Sequence, residues 1–115
     1  MKTRTIDGIK IEEGSGNVYA DLGVPDAEEM LAKCRLCMKI EEIIKARGWT
    51  QQQAAAVLGV PQPKLSKMLR GQFRGISQAR LIECLTRLGR NVHIVVDPDD
   101  EERADRVGRL DVVFA

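Results

Sequence analysis

A short stretch of the chain, GVPQPKLSKMLRG, combines amide, hydroxyl and cationic side chains at positions that a helix would turn outward. Leu65, Met68 and Leu69 recur at helical spacing, and Gly71 ends the pattern. The outward set is Gln62, Lys64, Ser66, Lys67 and Arg70. Such groups exchange hydrogen bonds and carry positive charge. Their chemistry suits the binding of a polar, anionic surface.

A second candidate for chemistry is the CxxC pair formed by Cys34 and Cys37, with Cys84 far along the chain. The spacing suits a redox pair or half of a zinc site, but a closed zinc site needs four ligands and His93 is the only histidine. Both cysteines of the pair also fall on the apolar stripe of a predicted helix. We therefore predict that they pack in a core as thiols, with no metal site and no cofactor.

Catalytic constellations are not recognisable in this sequence. No glycine-rich phosphate loop follows a predicted strand, no Ser/His/Asp set can be argued, and one histidine gives little general acid–base capacity. The acidic run from Asp97 to Glu102 lacks the glycine turn and the spacing of a calcium loop. The sequence therefore predicts a protein that is not an enzyme.

Length and composition indicate one compact domain with loosely attached ends. The 115 residues are 43% hydrophobic and 30% charged, which allows a core and argues against general disorder. No apolar run approaches the roughly 18 residues that cross a membrane, and the first residues, MKTRTIDGIK, lack a signal-peptide core. We expect a cytoplasmic protein.

The net charge of +1 hides an uneven distribution. Residues 33–90 carry 12 basic and 3 acidic side chains, whereas residues 1–32 and residues 91–115 each carry 3 basic and 7 acidic ones. A basic centre between acidic ends indicates a polyanion-binding surface on the centre and a different role for the ends.

Four helices are predicted between residues 25 and 90. The first begins at Asp26, with Glu29 completing a capping box, and ends before Gly48. The second begins after Thr50 and ends at Gly59, and the third covers 62–70. The fourth begins after Ser77 and ends at Gly89.

The pattern changes after residue 90. The segment NVHIVV (91–96) alternates β-branched residues and predicts a strand, and RLDVVFA (109–115) is a candidate second strand of a long-looped hairpin. An isolated two-stranded hairpin is marginally stable, so it should lie against the helices or pair with another chain. We expect an arm over 1–24, a helical domain over 25–90 and a β element over 91–115.

The two short helices joined by LGV form a helix-turn-helix, in which the second helix enters the major groove of DNA. The stretch WTQQQAAAVLGVPQPKLSKMLRG closely resembles the phage-repressor (XRE) family over roughly residues 35–90. The resemblance implies a mainly α, phage-repressor-like bundle of four to five helices, here with a small C-terminal β element. It implies a homodimer that binds operator DNA as a transcriptional repressor.

The most specific feature of this resemblance is a pair of glutamines, Gln51 and Gln62. In the family, a glutamine that opens the second helix binds a phosphate and braces a glutamine that reads adenine. One departure is Pro61, where the family more often has a Ser, Gly or Asn cap. The expected DNA-contacting residues are Thr50, Gln51, Gln52, Gln62, Pro63, Lys64, Ser66, Lys67, Arg70 and Arg74.

Segments outside this motif, NVYADLGVPDAEEMLAK and LGRNVHIVVDP, resemble a subgroup of small XRE regulators. Many members are antitoxins encoded beside RelE- or HigB-like ribonuclease toxins. The resemblance thus leaves two functions open: a DNA-binding autorepressor, or a module that chiefly neutralises a toxin. Val92, Ile94 and Val96 are the expected dimerisation residues, because exposed edge strands pair readily.

Overall fold

A computed structural model of the chain describes residues 3–6, 9–12, 26–103 and 107–115. Its central part contains four helices, which confirms the helical core of the expectation. They are α1 (Ala27–Ala46), α2 (Gln51–Leu58), α3 (Gln62–Leu69) and α4 (Gln78–Arg87). None of the helices in the described ranges is long and apolar enough to cross a membrane.

Helix α1 is the longest element, and its apolar stripe faces the core, including Ile40, which is fully buried. The expected capping box at its start is wrong. Asp26 adopts a left-handed conformation (φ 56°) and its side chain makes no capping hydrogen bond. Glu29 instead lies 3.5 Å from the Lys33 ammonium. Aspartate tolerates positive φ better than most residues, so the turn can form without the cap.

The hydroxyl residues expected just before α2 and α4 do cap these helices. Thr50 Oγ1 accepts a hydrogen bond from the Gln53 backbone N–H at 3.2 Å, and Gln53 Oε1 accepts from the Thr50 N–H at 2.9 Å. This reciprocal pair is a complete capping box. Ser77 Oγ accepts from the Arg80 N–H at 3.1 Å at the start of α4. Both starts are therefore fixed by sequence-local bonds.

One hydrophobic core joins the four helices. Helix α1 packs against α4, and α2 packs against α3. Leu58, Leu65 and Leu81 are fully buried where these elements meet. Phe73 follows α3 and is only 2% exposed. An aromatic residue in such a loop can cover the core or contact a ligand, and the structure places Phe73 in the core.

The cysteines also pack in this core, as predicted. Cys34, Cys37 and Cys84 are at most 5% exposed and form no disulfide. Burial raises the pKa of the Cys37 thiol to about 12. A thiol with so high a pKa is protonated at neutral pH and is a poor nucleophile or metal ligand.

The β structure differs from the expectation. Two short antiparallel strands, β1 (Thr3–Ile6) and β2 (Ile9–Glu12), lie within the segment that was expected to be an extended arm. The predicted C-terminal strands are wrong: residues 91–96 and 109–115 are in neither a strand nor a helix. The remainder of the predicted arm, residues 1–2, 7–8 and 13–24, lies outside the described residues.

The C-terminal segment still contacts the helical domain. Arg35 Nη1 donates to the Val112 carbonyl at 2.9 Å, and the Lys39 ammonium lies 4.7 Å from the centre of the Phe114 ring. Val92 and Val112 pack partly buried against the core. The C-terminal residues Val112 and Phe114 therefore lie against α1.

Candidate nucleic-acid interface

Helices α2 and α3 and the turn between them form the helix-turn-helix that the sequence predicts. Gly59 ends α2 with φ 67°, a conformation that glycine adopts without strain. Pro61 precedes α3 and offers no side-chain cap, and its carbonyl accepts the first helical bond from Leu65 N at 3.0 Å. Prolines suit this position because the first N–H groups of a helix have no helical partner.

Two arginines of α4 fill the space beside this turn. Arg80 donates a hydrogen bond to the Gly59 carbonyl, and a Cβ atom added at Gly59 would lie 2.6 Å from Arg87 Nη1. Glu83 holds both arginines, at 2.7 Å from Arg80 and 3.2 Å from Arg87. Hydrogen bonding to Arg80 lowers the pKa of Glu83. The turn that orients α3 is thus fastened to α4.

The two glutamines of the motif contact each other. Gln62 Nε2 donates a hydrogen bond to Gln51 Oε1 at 3.0 Å, and both side chains are exposed. The bond joins the first residue of α2 to the first residue of α3. It leaves one N–H and the Oε1 acceptor of Gln62 available to a ligand.

The outer face of α3 is accessible over its whole length. Gln62, Pro63, Lys64 and Lys67 are exposed, whereas Ser66 is half-buried. Leu65 and Met68 form the buried face. Among the other expected contact residues, the exposed ones are Thr50, Gln51, Gln52, Arg70 and Arg74. The fold therefore brings the N-terminus of α2, the face of α3 and the loop after α3 to one region of the chain.

The cations of this region differ from most of those on α1 and α4, which pair with glutamates. Lys33, Lys39 and Lys45 on α1 lie within 3.5 Å of a glutamate, as do Arg80 and Arg87 on α4. Within the described part of the chain, the four cations of α3 and its following loop form no ion pair; they are Lys64, Lys67, Arg70 and Arg74. Cations without carboxylate partners present an uncompensated positive field to an anion.

A cleft of about 500 Å³ lies beside α3. Its lining includes Lys64 and Lys67 of α3 and Gln72 and Gly75 of the following loop. It also includes Met68 and Ile76, which are each 2% exposed. The cleft therefore combines cationic, amide and apolar lining residues.

Sequence reasoning missed two residues that support this region. Gln53 completes the cap of α2, and the T-x-x-Q spacing from Thr50 could have predicted it. Lys33 donates to the Arg74 carbonyl at 3.2 Å, and no local spacing relates residues that are 41 apart. The expected dimerisation residues lie elsewhere: Val92 is partly buried, and Ile94 and Val96 are 80% and 88% exposed.

Metal-binding groups are not a feature of this surface. In residues 3–6, 9–12, 26–103 and 107–115, no group of three or more His, Cys, Asp or Glu side chains could hold a metal ion. The chemistry of the region is that of hydrogen-bonding amides and cations.

Comparison with known proteins agrees with this geometry. A family model described as "Helix-turn-helix domain" matches residues 18–97. A solved structure named "Putative XRE Family Transcriptional Regulator" is similar at 36% identity and a TM-score of 0.69, covering 79% of this chain and 100% of that one. No curated protein matches. The chain therefore belongs to this helix-turn-helix family, with a DNA-binding domain of the kind found in XRE-like transcriptional regulators, a family that is typically non-enzymatic.

Proposed function

We propose that the chain is a sequence-specific repressor, acting on its own operon, that inserts α3 into the major groove of operator DNA. The observation that carries this proposal is the hydrogen bond between Gln51 and Gln62. It fixes an amide at the start of an exposed helix, and a glutamine amide can pair with both the N6 and N7 positions of adenine. Operator occupancy by α3 would then exclude the transcription machinery.

The other expected contacts divide into two roles. Near Gln62, we assign base edges to Pro63, Lys64 and Ser66, since the first residues of a recognition helix reach deepest into the groove. Backbone phosphates are assigned to Thr50, Gln51, Gln52, Lys67, Arg70 and Arg74. Phosphate contacts fix the orientation of a protein on DNA but carry no sequence information directly.

Replacing Lys67 with alanine tests the groove assignment. A duplex is first selected from a randomised pool with the full chain, and its affinity is then measured at several salt concentrations. If Lys67 meets a phosphate, the slope of log affinity against log salt should decrease in magnitude by about 0.9, because one fewer counterion is released.

A matched control for this experiment is Lys45→Ala. Lys45 lies on α1, is exposed and pairs with Glu41 at 2.8 Å. This variant loses the same charge away from α3, so its slope should stay close to that of the wild type. An unchanged slope in Lys67→Ala would contradict the assignment of α3 to the DNA interface.

We propose that two copies act together, joined through Val92, Ile94 and Val96. Residues 91–96 do not form a strand in the single chain, but four of the six are β-branched and the segment is largely exposed. Such a segment can order by pairing with an identical one. A dimer would place two α3 helices about 34 Å apart, in successive major grooves.

The dimer proposal predicts that Ile94→Lys yields monomers. A lysine at the centre of an apolar seam would carry an unpaired charge into it, which disfavours association. Sedimentation velocity of the full chain measures the result. Val57→Lys, at a partly exposed position of α2, makes the same apolar-to-lysine change outside the seam and should leave the dimer intact. A dimer that persists in Ile94→Lys would place the contact elsewhere.

A second candidate function is binding to a basic partner, such as a RelE- or HigB-like ribonuclease toxin, with DNA binding secondary. The observation that favours it is the exposed acidic run from Asp97 to Glu102. This candidate assigns the main interaction to the C-terminal segment rather than to α3. Lys67→Ala should therefore leave binding to the basic partner intact.

A further inference from the structure

Lys33 has an unusual position for a lysine. Of the charged residues that the structure describes, it is the one that is buried, at 5% exposed. Its ammonium donates to the Arg74 carbonyl at 3.2 Å and lies 3.5 Å from Glu29 Oε1. A buried charge is costly unless it is hydrogen-bonded and paired, and Lys33 has both kinds of partner. Because its side chain is enclosed, Lys33 itself cannot be a direct contact for a large ligand.

The carbonyl that Lys33 holds belongs to the loop between α3 and α4, residues 70–77. Phe73 and Ile76, on either side of Arg74, are each 2% exposed and anchor the loop in the core. Arg74 lies between these anchors with its side chain exposed. The loop is therefore attached at three points, two apolar and one polar, and the polar one is at the residue that carries the exposed cation.

This loop also lines the cleft beside α3. Gln72 and Gly75, two of the lining residues, flank the Phe73–Arg74 pair along the chain. Lys64 and Lys67 of α3 line the same cleft. A shift of the loop backbone would change both the width of the cleft and the position of the Arg74 guanidinium.

We propose that Lys33 is a positioning residue for DNA binding: by holding the Arg74 carbonyl, it sets the loop so that Arg74 contacts a backbone phosphate at the cleft. This inference rests on the proposed function. It assigns to Lys33 a role through Arg74 and no direct contact with DNA. Removing the Lys33 ammonium should therefore abolish the phosphate contact of Arg74 and leave the preference for particular bases unchanged.

The test is a double-mutant cycle with Lys33→Met and Arg74→Ala, measured on the selected duplex and on an unrelated duplex. Each single variant should bind both duplexes about tenfold more weakly at moderate salt and lose about one unit of salt slope. The double variant should resemble the single ones, because both remove the same phosphate contact. Lys33→Arg, which keeps charge and donor, should restore most of the affinity.

Controls separate positioning from a general loss of structure or charge. Lys45→Met removes an exposed charge from the same helix and should retain the wild-type slope. Thermal unfolding of each variant shows whether it is folded at the temperature of the binding assay. Should Lys33→Met fail to fold, Lys33→Leu, which also has no hydrogen-bond donor, takes its place in the cycle, and the loss of salt slope expected of Arg74→Ala alone still tests the inference.

Three results for Lys33→Met would overturn the inference: wild-type binding by the folded variant, a loss of affinity without a change of salt slope, or full additivity with Arg74→Ala. An Arg74→Ala variant that binds like the wild type would overturn it as well. None of these results would affect the assignment of α3 to the groove, which depends on Lys67 and Gln62.

Discussion

Replacing Gln62 with alanine is expected to weaken binding to the selected operator by about 1–3 kcal/mol, or roughly 5- to 150-fold. The Gln62 amide gives one N–H to Gln51 at 3.0 Å, which leaves its second N–H for adenine N7 and its Oε1 for the adenine N6 amino group. An alanine can form neither bond. Competition titrations with the selected and an unrelated duplex would measure the loss.

The size of this effect should depend on sequence. Affinity for the unrelated duplex should change little, because phosphate contacts supply most non-specific binding. Base preference should also relax at one position of each half-site when the selection is repeated with the variant. Equal losses on both duplexes would mean that Gln62 contacts the backbone instead of a base.

Gln51 gives the matched comparison for this experiment. Its Oε1 accepts the bond from Gln62, so Gln51→Ala should free the Gln62 side chain to adopt other rotamers. The loss of affinity should be smaller than that of Gln62→Ala, since the reading amide is still present. In the double variant, the two losses of binding free energy should not be additive, because residues in one hydrogen-bond network are energetically coupled.

The helices were predictable because their signals are local. The apolar periodicity of α1, the hydroxyl caps at Thr50 and Ser77, and the glycine at residue 59 each act within a few residues. The capping box at Asp26 failed although its spacing was correct. Its aspartate adopts positive φ in the structure, and spacing alone does not determine the backbone angle at the cap.

The C-terminal strands failed for a different reason. The pattern of residues 91–96 describes side chains that suit a sheet, but a strand exists only when its backbone pairs with a neighbour. No neighbour for this segment occurs in the described part of the chain, and Ile94 is 80% exposed. The side-chain pattern thus indicated that residues 91–96 suit a strand, but the described part of the chain contains no strand that pairs with them.

The candidate site was partly predictable. Gln51 and Gln62 are recognised by their place at the starts of α2 and α3, and the structure joins them. The contact of Lys33 could not be predicted from the sequence, because its partner is a backbone carbonyl, a group that every residue has. Phe73 was ambiguous for a similar reason: a loop aromatic can cover a core or contact a ligand, and only tertiary packing decides.

Replacing Phe73 with alanine is expected to cause the largest loss of stability, about 3–5 kcal/mol in the free energy of unfolding. Phe73 is among the largest fully enclosed side chains of the core. Its truncation removes apolar contacts and leaves a cavity that the four helices can close only in part. Small domains have a free energy of unfolding of only about 5–15 kcal/mol, so the expected loss is a large fraction of the total.

Urea denaturation followed by circular dichroism at the helical band would measure this loss, with Phe114→Ala as its control. Phe114 is 45% exposed, and its ring meets only the Lys39 ammonium at 4.7 Å among the ring contacts of the described chain. Its truncation should cost less than about 1 kcal/mol. Since Phe73 also anchors the loop that carries Arg74, Phe73→Leu should keep the fold while it weakens binding to any duplex. Comparable, small losses for Phe73→Ala and Phe114→Ala would show that the loop is not held by the core, and the position of Arg74 would then have to come from the Lys33 bond alone.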